Sequence, residues 1–103
     1  MENAFEHNIH DAINSDRPTL VMFYKDSNAV SDEEMPEMLE VARRMSGEGH
    51  FFEVDCDHYF DLRDKYHIDT TPTFILFMDG EEAWRACGRL PEKELADMVK
   101  RFE

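Results

Sequence analysis

Apolar residues along this chain fall into two kinds of pattern, continuous runs and helical spacing. Two of the runs are almost continuously apolar and rich in β-branched and aromatic residues, which is typical of strands buried on both faces of a sheet. The predicted strands cover residues 19–24, 50–57, 73–78 and 83–88. An Asp-Gly pair at 79–80 is a hairpin signal, so the last two strands are expected to be antiparallel neighbours.

Between these strands, apolar residues recur every three or four positions, which predicts helices. Ser31 and Glu34 form a capping-box pair and predict the start of a long second helix. Pro36 lies within that helix, where its missing N–H predicts a kink. The apolar residues of this helix are expected to face inward: Met35, Met38, Leu39, Ala42 and Met45.

The predicted elements follow the order α-β-α-β-α-β-β-α. Asn3 and Glu6 predict the N-terminal cap of the first helix, and Pro91 is expected at the first helical position of the last one. Strands joined through a long helix are parallel with a right-handed crossover, whereas the hairpin adds an antiparallel edge. The sequence therefore predicts an α/β fold, with a four-stranded mixed sheet flanked by helices on both faces, in a single domain over residues 1–103.

The chain carries 24 acidic and 11 basic residues, which gives a net charge of −13. A field of that sign repels phosphate backbones and anionic lipids, so neither nucleic acid nor a membrane is expected as a partner. No apolar run is long enough to span a bilayer, and the acidic N-terminus lacks the pattern of a signal peptide. These observations predict a cytoplasmic protein.

Two cysteines, Cys56 and Cys87, lie 31 residues apart, a spacing that fits neither a zinc motif nor a redox C-x-x-C pair. Two isolated thiols favour a reducing compartment. His7 and His10 fall on one helical turn beside Asp11, but that spacing is common by chance and no further ligand is identifiable. No metal and no cofactor is therefore expected.

Several short segments, in the same order and at similar distances, resemble the thioredoxin family over about residues 4–102. These segments are 18–24 (PTLVMFY), 35–42 (MPEMLEVA), 52–57 (FEVDCD), 66–74 (YHIDTTPTF), 77–81 (FMDGE) and 87–90 (CGRL). The resemblance implies a thioredoxin fold in which Pro72 is the family's cis-proline. Little room precedes the first helix, so the family's N-terminal edge strand is expected to be missing.

The family's W-C-x-x-C motif follows the first core strand, and the matching positions here hold no cysteine. They are Ser27, Asn28, Ala29, Val30 and Ser31. By the resemblance, Asn28 replaces the nucleophilic cysteine, Ser31 replaces the resolving cysteine, and Met22 replaces a buried acid of the family. An amide cannot form a mixed disulfide and a hydroxyl cannot be oxidised to a disulfide, so dithiol exchange is expected to be lost.

The resemblance keeps a binding role open, because family members pair the backbone before the cis-proline with an extended peptide. The leading hypothesis is a redox-inactive domain that binds a protein or peptide along the former active-site rim: Ser27, Asn28, Ala29, Thr71, Pro72, Cys87 and Gly88. The alternative is a thioredoxin-like thiol oxidoreductase of cell redox homeostasis, with residual monothiol activity through Cys87. A third possibility is a scaffold or acidic buffer without a defined site. Cys56 and Cys87 are expected three strand spacings apart, too far for a disulfide.

Overall fold

The computed structural model describes residues 2–3, 6–25 and 29–103. The elements in chain order are β1 (Glu2–Asn3), α1 (Glu6–Ile13), β2 (Thr19–Tyr24), α2 (Ala29–Arg44), β3 (His50–Asp55), α3 (Phe60–Lys65), β4 (Thr73–Met78), β5 (Glu81–Cys87) and α4 (Glu92–Arg101). The strands and helices that the hydrophobic pattern predicts are all present. None of the described helices is long and apolar enough to cross a bilayer.

One mixed sheet holds the strands in the order β1-β3-β2-β4-β5. Strands β2 and β3 run parallel, whereas β4 is antiparallel to both β2 and β5. Asp79 (φ 52°) and Gly80 (φ 84°) have the positive φ angles that a tight hairpin turn between β4 and β5 requires. The predicted four-stranded mixed sheet is confirmed, and β1 extends it by one short parallel strand.

Different helices cover the two faces of the sheet. Val21 and Phe23 of β2 pack with residues of α1 and α3 on one face. Leu20 and Met22 pack with residues of α2 and α4 on the other face. All four side chains are fully buried, which explains why this central strand is a continuous apolar run in the sequence.

The N-terminal segment differs from the prediction. Glu2 and Asn3 pair in parallel with Phe52 and Glu53 of β3, so the expectation that this edge strand is missing is wrong. Asn3 is extended and is not the predicted N-cap, and α1 begins at Glu6. A strand edge presents unpaired backbone groups, and a segment of two residues is long enough to pair with some of them.

Helix α2 begins at Ala29, two residues before its predicted cap. Ser31 lies inside the first turn and is 1% exposed, and Glu34 is also buried. The carboxylate of Glu34 accepts a hydrogen bond from the backbone N–H of Leu90 at 3.1 Å. The predicted capping box is therefore wrong, because both of its side chains face the interior of the protein.

Two smaller corrections concern single helix positions. Leu39 is 48% exposed, although the spacing predicted that it faces inward. Around the helix axis, the buried residues Val41 and Ala42 lie within about 60° of the fully buried Met38, whereas Leu39 lies about 100° from it and outside this buried arc. Pro91 has extended backbone angles (φ −67°, ψ 153°), and α4 begins one residue later, at Glu92.

Candidate functional site

The predicted binding residues gather at one end of the sheet. Strands β2 and β5 end there and β4 begins there, because β4 runs antiparallel to both of its neighbours. Helix α2 starts just beyond the end of β2. We call the described residues of this surface the rim: Ala29, Thr71, Pro72, Cys87 and Gly88. The other two predicted positions, Ser27 and Asn28, lie outside the described residues.

The segment before β4 is held against the end of β5. The Thr71–Pro72 peptide bond is cis, and Pro72 is buried. Gly88 donates its backbone N–H to the carbonyl oxygen of Pro72 at 2.9 Å, and Thr73 lies opposite Cys87 in the strand pairing. These contacts join the cis-proline segment and the end of β5 into one surface.

Thr71 presents free backbone groups on this surface. The residue is half-buried, and within the described residues neither its N–H nor its carbonyl oxygen makes a hydrogen bond. Unpaired backbone groups of this kind are those to which another chain can add as a strand. The rim therefore offers a position at which an extended peptide can pair.

The positions of the missing cysteine motif differ in what they present. Ala29 and Val30 are exposed, Val30 by 37%, whereas Ser31 is buried. The Ser31 hydroxyl accepts a hydrogen bond from the backbone N–H of Lys25 at 3.5 Å, which ties the start of α2 to the end of β2. Ser31 is thus a structural residue, and the small apolar surface of Ala29 and Val30 faces solvent.

Cys87 is the exposed thiol of the rim. Its Sγ atom lies 3.4 Å from the hydroxyl oxygen of Thr73. That hydroxyl donates its single proton to the carbonyl of Thr70 at 2.6 Å, because a carbonyl oxygen can only accept. In this arrangement the S–H of Cys87 is therefore the donor and the Thr73 hydroxyl oxygen is the acceptor.

Cys56 follows β3 and is inaccessible to solvent. It is fully buried in the core between the sheet and helices α1 and α3. Burial raises the pKa of its thiol to about 11, although the positive charges of Lys25 and Arg63 oppose the shift. Both thiols are free, and Cys56 acts as a small apolar core residue.

Sequence reasoning missed a buried acid beside the rim, Glu34, which is 3% exposed. One carboxylate oxygen accepts the hydrogen bond from Leu90, whereas the other is buried without a hydrogen-bond partner among the described residues. The pKa of Glu34 is raised to about 7, mainly by burial. The hydrogen bond from Leu90 opposes this shift, and the negative charge of Glu37 adds to it.

The signal for this buried acid was the helical spacing. Ser31, Glu34, Met38 and Val41 recur at intervals of three and four residues, and all four are buried on one face of α2. Assigning Ser31 and Glu34 to a capping box removed them from this stripe. The periodicity was the better guide to their burial.

The described side chains offer no metal centre. No group of three or more His, Cys, Asp or Glu side chains among them could hold an ion. The side chain of His7 is not among those described. The absence of a metal and of a cofactor therefore stays a prediction.

Comparison with known proteins bears on the fold and on the family. A family model described as thioredoxin matches residues 1–101. This chain belongs to the thioredoxin family. The chloroplastic thioredoxin Y1 of Arabidopsis thaliana is 33% identical over 88 residues, which cover 85% of this chain and 51% of that protein. The chain spans about half the length of the first curated relatives that it matches.

Solved structures show the same thioredoxin fold. A thioredoxin of Fasciola hepatica superposes with a TM-score of 0.83 at 26% identity, over 95% of this chain and 90% of that one. A chloroplastic thioredoxin z gives a TM-score of 0.86 at 24% identity, over 98% of this chain and 92% of that one. The thioredoxin fold predicted from the sequence is confirmed.

Proposed function

We propose that this thioredoxin-family domain carries out no dithiol exchange and binds an extended segment of a partner protein along the rim. The observation that carries the proposal is the open backbone of Thr71 beside the buried cis-proline, Pro72. Dithiol exchange needs two thiols within bonding distance. Cys56 follows the last residue of β3, and Cys87 is the last residue of β5. Strands β2 and β4 lie between β3 and β5 in the sheet and keep the two thiols apart.

Strand addition supplies the affinity in this proposal. Since the N–H and carbonyl of Thr71 have no partner in the part of the chain that the structure describes, they can form two backbone hydrogen bonds to an extended peptide. Ala29 and Val30 add exposed apolar surface at the start of α2. Backbone pairing gives affinity with little dependence on sequence, so the neighbouring side chains select the peptide.

The charge of the domain indicates which peptides approach it. The net charge of −13 steers cationic segments toward the protein and repels acidic ones. Exposed acids lie close to the rim, including Asp32 in the first turn of α2 and Asp69 before the cis-proline. We therefore expect the bound peptides to carry net positive charge and to bind more weakly as salt is added.

A phage-displayed library of short random peptides, panned on the full chain, tests the proposal. Retained peptides are then synthesised and their affinities measured by fluorescence polarisation. Thr71→Arg and Ala29→Arg place a long charged side chain on the rim, and each is expected to weaken binding at least about tenfold. Ser46→Arg is the matched control, because Ser46 is exposed in the turn before β3, at the opposite end of the sheet.

Two outcomes contradict this function. One is that panning retains no peptide above the background of an empty surface. The other is that Thr71→Arg and Ala29→Arg bind the retained peptides as the Ser46→Arg control does. Circular dichroism and a two-dimensional amide spectrum establish that each variant is folded.

The exposure of Cys87 favours one other function, a thiol oxidoreductase that works through a single cysteine. The relatives named thioredoxins agree with a redox role. The neighbouring Thr73 hydroxyl argues against it, since it donates its hydrogen bond to the Thr70 carbonyl and not to the sulfur of Cys87. Mass spectrometry after treatment with oxidised glutathione at neutral pH separates the two functions, with Cys87→Ser as control. The binding role predicts no adduct at Cys87 and no insulin reduction, and a stoichiometric adduct favours the enzyme.

A cytoplasmic location stays part of the proposal. It is inferred from the lack of a signal-peptide pattern and of a long apolar run in the sequence. The relatives thioredoxin Y1 and thioredoxin Y2 of Arabidopsis thaliana are, by contrast, chloroplastic. Fluorescent tagging of the full protein in its host tests it.

A further inference from the structure

The side chain of Glu34 lies at the contact between α2 and residues 88–90, the segment that follows β5; we call this contact the seam. Glu34 reaches out of α2 and accepts the backbone N–H of Leu90 through one oxygen. The other oxygen is enclosed and has no hydrogen-bond partner in the part of the chain that the structure describes. Buried polar atoms are rarely left without a hydrogen bond, so the second oxygen of Glu34 is an exception that calls for an explanation.

The charged groups around this seam do not neutralise Glu34. On α2, Glu33 pairs with Arg89 of the segment after β5, and Glu37 accepts the backbone N–H of Glu92 at 2.9 Å. On α4, Glu92 forms an ion pair with Arg44. Arg89 and Arg44 are thus engaged with other acids, and Glu37 places a second negative charge close to the buried carboxyl group.

We propose that Glu34 is a proton-controlled clasp, which holds α2 against residues 88–90 when it is protonated and loosens that contact, and with it the rim, when it is ionised. The protonated carboxyl group tolerates burial, whereas the carboxylate favours any rearrangement that brings its unpartnered oxygen into water. The raised pKa of Glu34, about 7, places this change near neutral pH.

The clasp is connected to the rim through the backbone. Residues 88–90 follow Cys87 directly, and Gly88 donates its N–H to the carbonyl of Pro72 at 2.9 Å. A shift of Leu90 away from α2 therefore changes the contact that holds the cis-proline segment against β5. The inference does not rest on peptide binding, because the free protein is sufficient to show it.

Carboxyl-carbon and amide NMR on the full chain, titrated between about pH 5 and about pH 9, tests the proposal. We expect the Glu34 carboxyl signal to titrate with a midpoint near 7. The amide signals of Leu90 and Gly88 should move with the same midpoint. In Glu34→Gln, whose side chain keeps an oxygen that accepts from Leu90 but does not titrate, both amide shifts should be lost.

Glu37→Gln is the matched control. Glu37 lies one turn further along α2 and makes the same type of bond, to the N–H of Glu92, but it is less buried. This variant should keep the titration of Leu90 and Gly88, with the midpoint moved to lower pH because a neighbouring negative charge is gone.

Three results overturn the proposal. The first is a Glu34 midpoint near the ordinary value of 4.5. The second is a Gly88 amide that does not move with the Glu34 carboxyl signal. The third is that the amide shifts persist in Glu34→Gln. The first two are read on the unchanged protein, so they decide the matter even if the variant does not fold.

Discussion

Replacing Glu34 by glutamine should remove a pH dependence from the stability of the whole domain. The carboxyl group is 3% exposed, and its pKa is raised from 4.5 to about 7 in the folded state. The folded protein therefore binds a proton in a pH range where the unfolded chain has already lost it. The contribution of Glu34 to the free energy of unfolding is therefore complete below about pH 4.5 and is lost as the pH rises through 7.

The size of the effect follows from the shift. Each unit of pKa difference corresponds to about 1.4 kcal/mol, so the complete loss is about 3 kcal/mol. Between about pH 5.5 and about pH 8 the linkage relation gives a loss of about 2 kcal/mol. Glutamine leaves an amide NH₂ without a partner, at a cost of about 1–3 kcal/mol at every pH. Because this cost does not depend on pH, the informative quantity is the difference in free energy of unfolding between the original protein and Glu34→Gln, followed as a function of pH.

Urea unfolding, followed by the fluorescence of Trp84 and by circular dichroism, measures this difference. The stability of the original protein relative to Glu34→Gln should fall by about 2 kcal/mol from about pH 5.5 to about pH 8. Glu94→Gln is the control, because it removes one charge from an exposed position of α4. Its stability should depend on pH in the same way as that of the original protein. A Glu34→Gln profile parallel to the original within about 0.5 kcal/mol would show that the buried carboxyl group does not titrate near neutral pH.

Two further pairs of substitutions test the packing by urea unfolding. Met38→Ala should cost about 2–5 kcal/mol, since Met38 is fully buried, whereas Leu39→Ala on the exposed face of α2 should cost less than about 0.5 kcal/mol. Equal losses would contradict the assignment of helix faces. Gly49→Ala should destabilise by about 1 kcal/mol or more, because a Cβ there lies 2.6 Å from the carbonyl oxygen of Pro18. Gly47→Ala meets no atom within 4 Å and should be neutral or stabilise by up to about 1 kcal/mol. A stable Gly49→Ala would show that the backbone of Pro18 yields at little cost.

The central strands were predictable because burial on both faces requires a continuous run of apolar residues, which is visible in the sequence. Strand β4 covers Thr73–Met78, the bounds that its apolar run predicted, and β2 likewise covers Thr19–Tyr24. The hairpin turn was also local, since Asp79 and Gly80 adopt the positive φ angles that favour this pair of residues. Strand β1 is too short to show a periodicity, and it exists only because the edge of β3 is available for pairing.

The chemistry of the site was predictable only where it depends on which residues are present. The amino-acid sequence is enough to show that the cysteine pair is missing and to reveal the fragments that resemble thioredoxin. The direction of the hydrogen bond at Cys87 could not be read there. It depends on Thr70 accepting the proton of Thr73, a contact fixed by the turn before β4.

Residue order, apolar spacing and turn-forming pairs thus established the thioredoxin fold and the absence of a dithiol motif, because each acts over a few neighbouring residues. The fate of Glu34 depended on Leu90, which is 56 positions away in the chain. An acid in a helix looks solvated until another segment covers it, and its desolvation is set by what packs there. Only the tertiary structure therefore shows that Glu34 is a buried acid with a pKa of about 7 and not a carboxylate on the surface.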